Sequence, residues 1–307
     1  MHKKCPSPTC ACADSPEMPE GLEIDHSKPL NGTMAAYAEQ VLICTGKPDW
    51  PSRIEEENSG DNLAADIKEL MGRGVTNVSF PSTNAPRRSD IITTSAYVLP
   101  SFKYIPFLPR VSFDSVQALV KGYLLPTKLH PAHDNLSPIH KDRLLRSKEQ
   151  ADFLPGVKDV HDILVLICGH GGRDMRCGVT GPILQAEFEK VLPMEDVQVL
   201  QGPVEVGDGV SREVLMGSEA TVGSTARVGL ISHIGGHKFA GNVILYIPPK
   251  MKTKNGEPHP LAGCGIWYGR VEPKHVDGIV RETLLEGKVI EEMFRGGIKQ
   301  GGEILRL

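Results

Sequence analysis

Two cysteines and two histidines in the second half of the chain have the residue types and spacing of metal ligands. Cys168 and Cys177 begin and end the segment CGHGGRDMRC, whose glycines permit positive φ and close approach of the backbone. His233 and His237 lie four residues apart in SHIGGHKFAGN. The two glycines between them disfavour a helix by roughly 1 kcal/mol each relative to alanine. We therefore predict two glycine-rich loops that bring these four side chains to one centre.

Two thiolates and two imidazoles are the ligands of a Rieske-type 2Fe-2S cluster, in which the cysteines bind one iron and the histidines the other. They are equally the ligands of a structural zinc ion. The eight residues between the cysteines exceed the spacing of about two to four in a zinc knuckle, and they also exceed that of a Cys-x-x-Cys redox pair. The residue types alone do not choose between cluster and zinc.

Other polar residues of these segments are candidates for supporting roles. Cys168-Gly-His170 imitates the first half of a Rieske motif, but no histidine follows Cys177 at the required distance. We therefore predict that His170 contacts a ligand without being one, or faces solvent. Three cations of the same segments could offset the charge of the centre or dock an acidic electron donor, the alternative being ordinary solvated charge: Arg173, Arg176 and Lys238.

The other five of the seven cysteines fall into two groups. Cys44 and Cys264 lie in apolar surroundings and are expected in the core. The remaining three lie in residues 1–20, a proline-rich segment that is predicted to be a flexible tail: Cys5, Cys10 and Cys12. Three thiols so close together could form a disulfide or exchange with partner thiols. A second metal site there would lack a fourth ligand, and the alternative is a tail with incidental cysteines.

Composition restricts the possible partners and compartments. The 307 residues carry a net charge of −4 and 5% aromatic residues, which argues against nucleic acid or an anionic membrane as partner. We expect no membrane span, because no apolar run reaches the 18 or more residues required. An odd cysteine count in a chain of this length favours a reducing compartment. Residues 1–20 contain neither a secretory h-region nor arginine, so no clear signal peptide or mitochondrial presequence is predicted.

The elements that must position these residues suggest an α/β duplication. The predicted strands 39–44 and 162–168 share the string Val-Leu-Ile-Cys at an offset of 124 residues, although two unrelated core strands would also explain this. We predict two tandem thioredoxin-like domains, 21–155 and 156–307, after the tail 1–20. Further predicted strands are 75–80, 196–200, 228–231, 243–247 and, as the last, 265–271; 96–109 is read as edge strands or loops. Predicted helices are 61–71, 115–125, 137–153, 182–192 and a closing helix 275–287.

Several strings in the chain resemble the sucrase/ferredoxin-like family, the thioredoxin-like 2Fe-2S ferredoxins of fungi and plants. In the second half they are the segments that carry the four candidate ligands, together with Ile266-Trp-Tyr-Gly-Arg-Val271. The first half is similar to the fungal mitochondrial branch of the family through Cys5-Pro-Ser-Pro-Thr-Cys10-Ala-Cys12, Asp25-His-Ser-Lys-Pro-Leu-Asn-Gly-Thr33 and Cys44-Thr-Gly-Lys-Pro-Asp-Trp50.

The resemblance implies that the second domain is a thioredoxin-like ferredoxin whose cluster is bound by Cys168, Cys177, His233 and His237, and that the first domain has no cluster. It implies an electron carrier or redox sensor rather than an enzyme with its own small-molecule substrate. Its partners would be a protein electron donor or acceptor, or a thiol-redox partner in mitochondrial thiol quality control. A cytoplasmic location, a structural-zinc interaction module and a thiol oxidoreductase using the tail cysteines remain the alternatives. The oligomeric state is not indicated.

Overall fold

The computed structural model describes residues 1–7, 15–56, 63–71, 78–79, 82–83, 93–109, 112–204 and 222–307. It is a mixed α/β fold, as predicted. The two strands that share Val-Leu-Ile-Cys form where expected, as β1 (Glu39–Cys44) and β7 (Ile163–Cys168), and all their residues are buried. Such continuous apolar runs are typical of strands that are covered on both faces.

The first half builds its sheet around β1. On one side β1 pairs in parallel with two short strands, β2 (Val78–Ser79) and β3 (Ser82–Thr83). On the other side it pairs antiparallel with β4 (Thr93–Leu99), which continues into β5 (Lys103–Pro109) and β6 (Lys158–Asp159). The helices of this half are α1 (Leu63–Met71), α2 (Phe113–Leu119, continued as a π-helix over Val120–Leu124), α3 (Pro138–Leu144) and α4 (Lys148–Ala151).

The second half builds its sheet around β7, which pairs in parallel with β9 (Thr225–Ile231) and antiparallel with β10 (Val243–Ile247). A short strand, β8 (Gln198–Val199), pairs with β9. Beyond β10 the sheet continues through β11 (Cys264–Tyr268), β12 (Phe294–Lys299) and β13 (Ile304–Leu305). Its helices are α5 (Met175–Met194) and α6 (Pro273–Gly278, continued as a π-helix over Ile279–Leu285).

Alternation along the strands divides the core into three layers. In β7, Val165 packs with the helices of its own half, whereas Leu164 and Leu166 face the first half. In β1, Leu42 joins this shared layer and Val41 packs towards α1 and α2. The two sheets therefore pack against each other through their inner faces. Among the described residues, the pair Thr83 and Ile231 also joins their edges.

Several predicted boundaries were wrong. The 96–109 region is not at the sheet edge, because β4 is paired on both sides. The 137–153 helix is two short helices, α3 and α4. The strand predicted over 265–271 is not the last, since β12 and β13 follow α6. Two glycines interrupt the apolar alternation of β12, FRGGIK, and conceal it in the sequence. Within the described ranges, no helix has both the length and the apolar character of a membrane span.

Candidate metal centre

Parallel pairing of β7 and β9 brings the first cysteine close to the first histidine. Cys168 is the last residue of β7 and is in register with Ile231, the last residue of β9. The carboxyl ends of parallel neighbours meet at one edge of a sheet, where open α/β folds place their ligands. His233 follows β9 by two residues and therefore lies at the edge where β7 ends.

Cys177 is not in a loop as predicted, but in the first turn of α5. The predicted helix begins at residue 182, yet α5 begins seven residues earlier, at Met175. Asp174 caps it, its side chain accepting from the backbone N–H of Arg176. Pro182 is inside the helix rather than near its start. The glycine-rich loop is therefore confined to the residues between β7 and Asp174.

Two glycines of α5 let its first turns touch this loop, backbone against backbone. A Cβ on Gly178 would lie 2.6 Å from Gly171 Cα, and one on Gly181 would lie 2.7 Å from Gly169 Cα. Because no side chain separates the helix from the loop, the buried thiol of Cys177 lies within hydrogen-bonding reach of Cys168.

The histidines lie in a tight loop that ends in a 3-10 turn over His237–Phe239, so the prediction of a loop rather than a helix is confirmed. Gly235 and Gly236 have φ of 85° and 74°, which glycine adopts without strain. The rings of His233 and His237 are 5.4 Å apart between centroids. In both rings Nδ1 is buried and has no hydrogen-bond partner.

The two thiols behave as a pair. The hydrogen bond from Cys177, assisted by His233, lowers the pKa of Cys168 well below its usual value. The same hydrogen bond, together with burial, raises the pKa of Cys177. These surroundings favour the thiolate form of Cys168, and thiolate is the form in which cysteine binds metals.

The arrangement of the two cysteines and two histidines decides whether they could hold a single metal ion or a cluster. Among the described residues, no three Cys, His, Asp or Glu side chains are grouped as a site for a metal ion. A 2Fe-2S cluster instead takes its protein ligands as two pairs, one for each iron. A buried nitrogen without a partner costs about 1–3 kcal/mol. Two such nitrogens beside a stabilised thiolate fit a group that accepts both nitrogen and sulfur ligands.

His170 is buried and bridges the two halves, so the solvent-facing alternative was wrong. Its Nδ1 accepts from the backbone N–H of His233 at 2.9 Å. Its Nε2–H then donates to the carbonyls of Trp50 and Pro51, at 2.9 and 3.0 Å. His170 thus contacts a candidate ligand and fixes the position of its backbone.

The three predicted cations bind neighbouring protein groups. Arg176 forms a two-point ion pair with Asp174, at 2.9 and 2.8 Å, and also donates to the carbonyl of Glu23. Arg173 donates to Ser52 Oγ at 3.1 Å, and Lys238 lies 3.7 Å from Asp25. Their contacts link the candidate ligand segments to the first half of the chain.

Sequence reasoning missed Arg295, a buried arginine of β12. It donates from Nη1 to the carbonyl of Gly235 at 3.2 Å and to Asn242 Oδ1 at 2.6 Å. From Nε and Nη2 it donates to the side chain and carbonyl of Thr33, at 3.1 and 3.0 Å. It therefore links the histidine loop to the first half. Its only signal in the sequence was a charge within a glycine-containing apolar segment.

The structure describes one of the three tail cysteines. Residues 1–7 do not extend freely into solvent, since His2 forms a bridge with Ile290 and an ion pair with Glu282. Cys5 packs over Gly278, and burial together with nearby carboxylates raises its pKa to about 12. Cys10 and Cys12 lie outside the described residues.

The two cysteines expected in the core are indeed buried. Cys44 and Cys264 are exposed by 2% and 4%. Burial raises the pKa of Cys44 to about 11 and also raises that of Cys264. Both are neutral thiols at physiological pH.

The fold is mixed α/β, and the four candidate ligands lie in the segments that follow β7 and β9: Cys168, Cys177, His233 and His237. The model of the sucrase/ferredoxin-like family matches residues 30–296, and the chain belongs to that family. It is similar to proteins named Altered inheritance of mitochondria protein 32. The relative from Debaryomyces hansenii is 30% identical over 96% of this chain and 96% of its own length. The relative from Meyerozyma guilliermondii is 29% identical over 95% of this chain and 93% of its own length. No solved structure matches.

Proposed function

We propose that this chain is a mitochondrial electron-transfer or redox-sensing protein, in which Cys168 and Cys177 bind one iron of a 2Fe-2S cluster and His233 and His237 the other. The observation that carries the proposal is the pair of buried, unpartnered Nδ1 atoms beside two buried thiols. Membership of the sucrase/ferredoxin-like family and the names of the relatives support the redox and mitochondrial parts.

When bound, a 2Fe-2S cluster takes up and releases one electron, at a potential that imidazole ligands raise relative to four thiolates. The protein supplies the surroundings of the cluster. Cys168 and Cys177 are fully buried, which excludes water from the sulfur side. His170 fixes the backbone of His233, and the His237 side chain is 43% exposed. An electron-transfer partner can therefore approach the centre at His237.

The proposal extends to the organisation of the chain. We propose that residues 21–155 and 156–307 are thioredoxin-like units and that only the second binds a cluster. The first half then acts as a support, since Asp49 and Trp50 contact the segment between the two cysteines. Thr33 accepts from Arg295, which in turn donates to the histidine loop at Gly235. We also propose a role in mitochondrial thiol quality control. Cys5 does not carry that role, because a thiol with a raised pKa is a poor nucleophile.

The decisive experiment is anaerobic purification, followed by iron, sulfide and zinc analysis and electron paramagnetic resonance of the dithionite-reduced protein. We expect two irons and two sulfides per chain, a red-brown colour, and the low average g value of a histidine-ligated cluster. Nitrogen couplings in pulsed spectra would identify coordinated imidazole. A colourless protein with stoichiometric zinc would overturn the proposal in favour of a structural-zinc module.

Single-site variants assign the ligands. Cys177→Ser and His233→Ala should lose iron and sulfide, whereas Cys264→Ser is the matched control because this cysteine is also buried in a strand of the second half. Retention of the full cluster in Cys177→Ser or His233→Ala would remove that residue from the ligand set. Fractionation of cells that express the tagged chain tests the mitochondrial location.

A further inference from the structure

Arg295 is a buried cation whose hydrogen bonds go only to uncharged groups. It is 1% exposed, and its acceptors in the described part of the chain are Thr33, Gly235 and Asn242. Burying an arginine without a counter-charge costs several kcal/mol. Such a residue needs a negative group nearby, and its immediate acceptors do not provide one.

Arg295 reaches the candidate centre through its hydrogen bond to the carbonyl of Gly235, between the two candidate histidines. The charges that act on it are those of the sulfur pair. Burial lowers the pKa of Arg295 to about 10, whereas the charges of Cys168 and Cys177 favour its protonated form. The arginine therefore lies in the electrostatic field of the sulfur pair. With two thiolates and two neutral imidazoles, a bound 2Fe-2S centre would be neutral when oxidised and would carry one negative charge when reduced. The reduced state would therefore provide the missing counter-charge.

The histidine loop is shaped around the same guanidinium. A Cβ on Gly236 would lie 2.5 Å from Arg295 Nη2, so only glycine lets the loop pass this close. The guanidinium carbon also lies 5.8 Å from the centre of the Trp267 ring and 5.9 Å from that of Phe239. Aromatic rings on its flanks and a glycine in front hold the charge in one place and keep water away from it.

We propose that Arg295 is the internal counter-charge of the cluster and raises its reduction potential. This inference rests on the proposed function. When a protein donor transfers one electron, the donor is oxidised by one electron and one ferric ion becomes ferrous. The site becomes more negative by one charge, and a fixed cation beside it stabilises the reduced state in a poorly screened interior. Arg295 touches no candidate ligand side chain and is thus a positioning and charge-supplying residue.

The test compares the midpoint potential of the cluster-loaded wild type with three variants of Arg295. Arg295→Met and Arg295→Gln remove the charge, and Arg295→Lys keeps it. We expect the two neutral variants to show at least a tenfold lower ratio of reduced to oxidised protein at a fixed solution potential, which corresponds to about 59 mV for one electron. The lysine variant should stay close to the wild type.

Arg270→Gln is the matched control. Arg270 also packs over Phe239, at 5.0 Å, and also binds the first half, through the carbonyls of Asp25 and Lys28. It is partly exposed, and the charge that acts on it is that of Asp25 rather than a thiol. The potential of Arg270→Gln should therefore remain that of the wild type.

Each result supports or overturns the inference. Neutral variants that keep a full cluster at the wild-type potential overturn it and leave the proposed function intact. If neither neutral variant folds, the result for Arg295→Lys decides. A cluster that is retained in Arg295→Lys supports a requirement for charge, whereas a cluster that is lost in Arg295→Lys as well assigns Arg295 a purely structural role. A wild type without iron and sulfide overturns this inference and the proposed function together, and the metal analysis recognises that case before any potential is measured.

Discussion

The chain ends two strands with the same four residues, Val-Leu-Ile-Cys, and gives their cysteines opposite properties. Cys44 at the end of β1 and Cys168 at the end of β7 are equally buried. Burial raises the pKa of Cys44 to about 11, whereas hydrogen bonds from Cys177 and His233 lower that of Cys168. The string itself therefore specifies a buried strand, and the groups that meet its end decide whether the thiol is inert or a candidate ligand.

The neighbouring segments account for the difference. Cys168 is followed two residues later by His170, and Cys44 by Gly46. The parallel neighbour of β7 leads to His233 two residues after the register partner of Cys168. The register partner of Cys44 is Thr83, and two residues after it the sequence has Ala85. The first half thus lacks imidazoles at the matching positions.

The largest expected effect comes from exchanging each cysteine for serine. Cys168→Ser should lose the cluster completely, because an alcohol does not replace a thiolate on iron, whereas Cys44→Ser should keep it. Iron and sulfide per chain and the visible spectrum measure this. Cys44→Ser should instead lower the free energy of unfolding by about 1–3 kcal/mol, since it buries a hydroxyl in the layer between the sheets. Equal cluster loss in both variants would contradict the distinction.

Cys5 extends the comparison, because its raised pKa predicts slow reaction with alkylating agents. With a pKa of about 12, Cys5 should be alkylated roughly a thousandfold more slowly at pH 8 than the same residue in the unfolded chain, because far less thiolate is present. The rate should rise about tenfold per pH unit above 8, since a raised pKa moves ionisation to higher pH. Peptide mapping after timed iodoacetamide labelling measures both, and a folded rate equal to the unfolded rate would refute the prediction.

The next substitution replaces His170 with glycine, the residue that the first half has at the matching position, Gly46. His170→Gly removes the hydrogen bonds that hold His233 to the Trp50 carbonyl. Loss of a group that orients a ligand costs about 10–100-fold in metal affinity. We expect the cluster to be released 10–100-fold faster to an iron chelator, followed by its visible absorbance. His259→Gly, another buried histidine of this half, controls for the lost volume, and its release rate should be unchanged.

The smallest expected effect concerns the support from the first half. Asp49 accepts from the backbone N–H of Gly172 at 2.9 Å, in the loop between the two cysteines. Asp49→Ala should lower the free energy of unfolding by about 1 kcal/mol, since the carboxylate is exposed. Denaturant titration measures this. The exposed carboxylate Glu257 provides a control, and an equal change in Glu257→Ala would mean that the contact with Gly172 contributes nothing.

The sequence predicted some of the elements around the candidate site and missed others. The apolar runs of β1, β7 and β10 were read correctly because continuous burial leaves an unbroken pattern. The start of α5 was missed because Gly178 and Gly181 resemble loop residues, although they are needed for backbone contact with the turn after β7. Arg295 was missed because its role depends on pairing between β11 and β12 that no local pattern reveals.

The contacts of Arg295 also make the candidate site depend on the last part of the chain. Its side chain joins β12 to Thr33, a residue 262 positions earlier, and holds the histidine loop between them. A fragment that ends after His237 would contain every candidate ligand but would lack the strand that keeps the histidine loop in place. The four candidate ligands are therefore not a self-sufficient module that could be transplanted without both ends of the chain.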